Sequence, residues 1–85
     1  MGAKHFEKGD RVAHSARVAY QHGSRSIANA ESVRALDPDA FLGTVIDKAN
    51  DVETIWTVQV DHGASGGAFA GETRDFTADS LVKVE

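Results

Sequence analysis

The sequence predicts a mainly β fold: a five-stranded barrel with one short helix inserted between its first and second strands, in a single domain over residues 1–85. Three observations predict it. Side chains alternate with a period of two in Arg11–Tyr20, Phe41–Lys48 and Thr54–Asp61. Turn residues separate these runs. Between the first two runs, from about residue 24 to 38, the apolar period changes to near 3.6. Short strands broken by turns fit a closed barrel better than an open sheet, because closure removes the edges that invite aggregation.

Each element has its own signal. Gly9-Asp10 is turn chemistry ahead of the first strand. In Arg11–Tyr20, Val12, His14, Ala16, Val18 and Tyr20 share one face, while Arg11, Ser15 and Arg17 share the other. His22-Gly23-Ser24 ends that run. Ile27, Ala30, Val33 and Leu36 then recur at helical spacing, with Ser26 or Asn29 as the cap. Asp37-Pro38 stops the helix, since a residue before proline is pushed out of the α region. Phe41–Lys48 is the second strand, and Gly43 within it predicts a bulge or tight bend. Asn50-Asp51 turns the chain into Thr54–Asp61, where β-branched residues dominate. His62–Gly71 holds four of the eight glycines and reads as a long hairpin loop. Glu72–Phe76 is the fourth strand, Thr77–Ser80 a single 3₁₀ turn capped by Thr77, and Leu81–Val84 the fifth strand.

Composition narrows the class. The chain has no cysteine, which excludes disulfides and thiolate metal sites and fits a reducing cytoplasm. Residues 1–7 lack the apolar stretch of a signal peptide, and no apolar run approaches a membrane span. Thirteen acidic residues against nine basic ones leave a net charge of −4. Nucleic-acid binders draw affinity from basic surfaces, so this balance disfavours that partner. The bases do gather before the midpoint and the acids after Asp37.

The framework resembles small barrels of the Src-homology-3-like group, including the KOW and Tudor types. The resemblance rests on Phe6, Gly9-Asp10-Arg11-Val12, Gly43-Thr44-Val45, Trp56-Thr57-Val58 and the ending from Phe76 to Leu81-Val82-Lys83-Val84. It implies a turn before the first strand, a bend in the second and a 3₁₀ turn before the last. The opening Phe6-x-x-Gly9-Asp10-Arg11-Val12 also looks like that of the type II plasmid dihydrofolate reductases, tetramers with one shared pore. Thr73-Arg74-Asp75-Phe76 stands here in place of their Val-Gln-Ile-Tyr pore motif. The order of features is similar, too, to the barrel of nitrile hydratase β subunits, with Trp56-Thr57-Val58 in place of a Tyr-Thr-Val strand. Such grammar speaks to scaffold more than to activity.

Few residues carry a chemical signature. His5, His14, His22 and His62 show no metal-ligand spacing, so the sequence assigns no metal and no cofactor. No nucleophile elbow or activated cysteine is present, so it assigns no catalytic residue and points away from an enzyme. The glycine loop lacks the lysine-threonine pair of a phosphate-binding loop. Among the aromatics, Trp56 and Phe76 are expected to fill the core. Tyr20, His62, Phe69 and Arg74 are the expected ligand or partner contacts, exposed aromatics being marks of interfaces. The leading reading is a non-enzymatic module that binds a protein partner and self-associates. The rival is a small-molecule or reductase-like site formed at a homo-oligomer interface.

Overall fold

In a computed structural model, residues 5–23, 25–61 and 70–85 are described. They form β1 (Arg11–His14), α1 (Ala16–His22), α2 (Ala30–Leu36), β2 (Phe41–Lys48), β3 (Ile55–Val60), β4 (Thr73–Thr77), a 3₁₀ turn (Ala78–Ser80) and β5 (Leu81–Lys83). The strands make one antiparallel sheet in the order β4-β3-β2-β1-β5. The mainly β expectation holds, with strand positions shifted by a residue or two at most beyond β1.

The exception is the first strand, read from sequence as ten residues. It stops after His14. Ser15 turns the chain: its backbone is extended, and its side chain accepts a hydrogen bond from the Val18 N–H at 3.1 Å. Ala16–His22 is helical, and Gly23, at φ +61°, closes it by donating its N–H to the Ala19 carbonyl. The connection from β1 to β2 thus holds two helices where the sequence reading had one. The second begins at Ala30 because Asn29 caps it, its side chain accepting from Ser32 N–H at 2.9 Å. It ends at Asp37, before Pro38, as expected. Between the helices Ile27 makes a parallel bridge to Val84, donating to the Lys83 carbonyl and accepting from Glu85 N–H.

The 3₁₀ turn lies where the sequence put it, with Thr77 at its start. Thr77 makes no side-chain bond to the backbone there, its hydroxyl meeting that of Ser80 at 3.1 Å. Gly43 is not the site of a bulge: it pairs in register with Val12 and Val60. The register shift falls between Val45 and Asp47. Gly43 is required for another reason. A Cβ there would meet the Gln59 carbonyl oxygen and lie 2.6 Å from Val58 Cγ1, so β3 approaches β2 more closely than any side chain allows.

Among the described residues no ladder joins β4 to β5, so the hydrogen-bonded sheet is open at these two strands. It is nevertheless strongly curled. His14 of β1 stacks on Phe76 of β4 with ring centroids 4.1 Å apart, although β2 and β3 lie between those strands in the order. Only the three-residue turn links β4 to β5, which also requires the edges to approach.

Two cores result, one on each face. The inner face buries Phe6, Val12, Val45, Trp56, Val58, Ala78 and Leu81, with Phe76 packed against them. The outer face buries Ala13, Leu42 and Val82 beneath Val18 and Ala19 of α1, Val33 of α2, and Ile27 and Ala40. Neighbours such as Val12 and Ala13, or Leu81 and Val82, point to opposite faces by the period of two and are both buried. Trp56, expected in the core, is 3% exposed, and its indole N–H donates to the Glu53 carbonyl at 3.0 Å. Every buried side-chain nitrogen and oxygen among the described residues has a hydrogen-bond partner.

Candidate functional site

The inner face ends in a row of three rings. His14 closes β1 and lies directly opposite Phe41, the first residue of β2. Cross-strand neighbours on one face bring side chains together, and these two rings stack nearly parallel with centroids 6.1 Å apart, 12° between planes. The imidazole also stacks on Phe76, at 4.1 Å and 24°. The stack therefore gathers one ring from each of three strands. All three residues are half-buried, so their edges line the surface where the inner core reaches solvent.

Burial disfavours the charged imidazole and pushes the His14 pKa below its ordinary 6.5, against the opposing pull of Asp37. The lowered pKa favours the uncharged imidazole at neutral pH, so the ring stacks without a charge to desolvate.

Asp37 is held by its neighbours. Ser15 Oγ donates to Asp37 Oδ2 at 2.6 Å, and the Asp39 N–H donates to Oδ1 at 3.1 Å. The bond from Ser15, reinforced by Asp39 and by the charges of Arg17 and His14, holds the Asp37 carboxyl below its ordinary 3.8. Serine, histidine and aspartate are all present, yet the serine proton points at the carboxylate and the serine is 4% exposed. A serine nucleophile needs its hydroxyl on a base and open to substrate. Ser15 and Asp37 form a clip instead: Ser15 caps α1 and ties its start to the end of α2.

Of the residues expected from sequence to make contacts, Arg74 stands nearest this site. It is exposed on β4, opposite Val58, two residues from Phe76 and therefore on the same side of the strand. Tyr20 is exposed, at 90%, but on α1, in the helix layer over the outer face. The fold does not place these two on one face. His62 and Phe69, with most of the glycine loop, lie outside the described residues. At the loop's end Gly71, at φ +82°, donates its N–H to the Val60 carbonyl. Among the described residues no three of histidine, aspartate and glutamate are placed to hold a metal ion.

The ring stack itself was only half legible. The alternation in β1 puts His14 on the face of Val12, Phe41 opens β2, and Phe76 stands one residue before the end of β4. That the three meet depends on the curl, which no local pattern records. No protein-family model matches the chain, and no curated protein or solved structure matches it either. No helix among the described residues is long and apolar enough to cross a membrane.

Proposed function

We propose that this chain is a non-enzymatic interaction module, built on a Src-homology-3-like barrel, that grips a protein partner across the Phe41–His14–Phe76 stack. The observation that carries the reading is the stack: three half-exposed rings from three strands, converging at one edge of the core. Rigid aromatic plates supply contact area at little entropic cost, and exposed ring clusters with polar rims are where partners dock. Arg74 beside Phe76 adds a long cationic side chain at the rim. The occupant is an extended segment with an apolar anchor for the rings and an acidic residue for Arg74. Self-association belongs to the same reading, because β4 and β5 are the two ends of an open strand order that a second copy can extend.

Selection from a displayed random-peptide library, followed by amide shift mapping of the winning peptides, tests the module. The expected result is shifts at His14, Phe41, Phe76 and Arg74, and at least tenfold weaker binding by Phe41→Ser. Peptides that map elsewhere, or no selected peptide, overturn the reading. Light scattering after size exclusion counts the subunits, and a monomer at millimolar concentration removes self-association.

A further inference from the structure

A second feature lies away from the ring stack. A cleft of about 220 Å³ opens between the N-terminal segment, the stretch after α1, and β5, lined by His5, Phe6, Gly23, Arg25, Ser26, Val82 and Lys83. Its walls are built into the fold. Phe6 and Val82 are 2% and 1% exposed and belong to the inner and outer cores. Ile27, bonded to the Lys83 carbonyl, holds the Arg25-Ser26 stretch alongside β5. The Arg25 side chain is itself positioned, donating through Nε to the His22 carbonyl and through Nη2 to the Gln21 carbonyl, each at 3.3 Å, with Nη1 outside both bonds.

The lining runs against the chain's charge. The protein carries −4 overall, yet among the described residues the cleft is lined by Arg25, Lys83 and His5 and by no aspartate or glutamate. Two of these bases are each paired with a carboxylate: Asp10 Oδ2 lies 3.5 Å from Lys83 Nζ, and Glu53 Oε2 lies 3.7 Å from His5 Nδ1. We infer that this cleft binds a small organic oxyanion, its carboxylate or phosphate head on Arg25, Lys83 and the Ser26 hydroxyl and its apolar body against Phe6 and Val82. Guanidinium groups match such heads in geometry and charge. The volume sets the size: it is below the roughly 300–1,000 Å³ of sites for drug-sized ligands, so the body is no larger than about one aromatic ring.

The chain carries its own reporter. Trp56, its only tryptophan, has the rings of His5 and Phe6 edge-on at 6.1 and 5.6 Å, and both of those residues line the cleft. Phenyl phosphate, benzoate and neutral benzamide are titrated while tryptophan emission and amide shifts are read. Saturable binding of phenyl phosphate or benzoate is expected, with shifts at Arg25, Ser26 and Lys83, and the tighter of the two identifies the head. Arg25→Ala and Lys83→Ala should each weaken it by about tenfold or more, as loss of a charge-assisted bond does. Lys48→Ala, which removes a positive charge outside the lining, should leave it unchanged. Ser26→Ala is the milder variant if an arginine or lysine change disturbs folding, which thermal melts report. No saturation by about 10 mM, the edge of meaningful affinity, equal binding of benzamide, or equal weakening by Lys48→Ala overturns the inference. None of these outcomes bears on the ring stack, so the two sites stand or fall separately.

Discussion

Single residues decide several features of this protein, and three of them make sharp predictions. Gly43 is the tightest. Gly43→Ala puts a methyl against the Gln59 carbonyl and Val58, so a loss of about 1–3 kcal/mol or more is expected in urea unfolding. Glu53 is the opposite case. It is the only non-glycine at positive φ among the described residues, at +60°, a region that costs ordinary residues about 1–2 kcal/mol. Asparagine tolerates it better, so Glu53→Asn should raise the melting temperature by a few degrees. The lost contact to His5 is solvent-exposed and worth little. His14 controls a pH response. Its folded pKa lies below the ordinary 6.5 because it is buried. Below 6.5 the unfolded chain therefore binds the proton more readily than the folded one. The stability is full above about pH 6.5 and falls on acidification through the window beneath it. Asp37, depressed below 3.8, adds a second loss once the pH drops under that value. Urea midpoints measured between pH 7.5 and 5 should fall for the wild type, and His14→Phe should flatten that slope while keeping the stack.

At the scale of elements, the informative case is the run from Arg11 to Tyr20. Val12, His14, Ala16, Val18 and Tyr20 do alternate, but the same residues also carry helix signals. Ser15 is a strong N-cap, alanine, arginine and glutamine favour the helix, and Gly23 is a C-cap. Alternation over ten residues includes the alternation of a four-residue strand, so the pattern alone could not place its end. Ser15 places it by leaving the strand and bonding Val18 N–H and Asp37 together. Ser15→Ala removes both bonds and should cost about 2 kcal/mol, the upper range for a cap, with amide exchange rising across α1. Asn29→Ala removes a cap whose bonds stay within α2, from Ser32 N–H and Oγ, and should cost about 1 kcal/mol. The other elements had plainer signals: Pro38 after α2, whose cap the sequence left between Ser26 and Asn29, β-branched residues in β3, and the short turn before β5.

For the molecule as a whole, the curl is the deciding event. It brings β1 and β4 together at His14 and Phe76 and so makes the ring stack from residues 62 positions apart. It also splits the apolar residues into two cores, because β1, β2 and β5 are covered on both faces. Trp56 holds the inner core, packed edge-on against Phe6 and bonded to the Glu53 carbonyl. Trp56→Ala should cost about 3–5 kcal/mol, most or all of the stability expected of a marginal domain of this size, about 0.05–0.15 kcal/mol per residue. A stable Trp56→Ala variant would show that the inner face is not the main core. Among the expected contact residues, Arg74 falls on the side of the stack and Tyr20 does not, since one belongs to a strand of the inner face and the other to a helix over the outer face.

Local chemistry by itself determined the strands after the first, the helix before Pro38, the turns and the burial of Trp56, because each follows from a side chain and its near neighbours. Tertiary structure alone decided where β1 ends, that two helices fill the first connection, why Gly43 is glycine, and which rings and bases share a surface. Those outcomes depend on contacts between residues far apart in the chain, and such contacts form only once strands with no local knowledge of one another are curled round the same core.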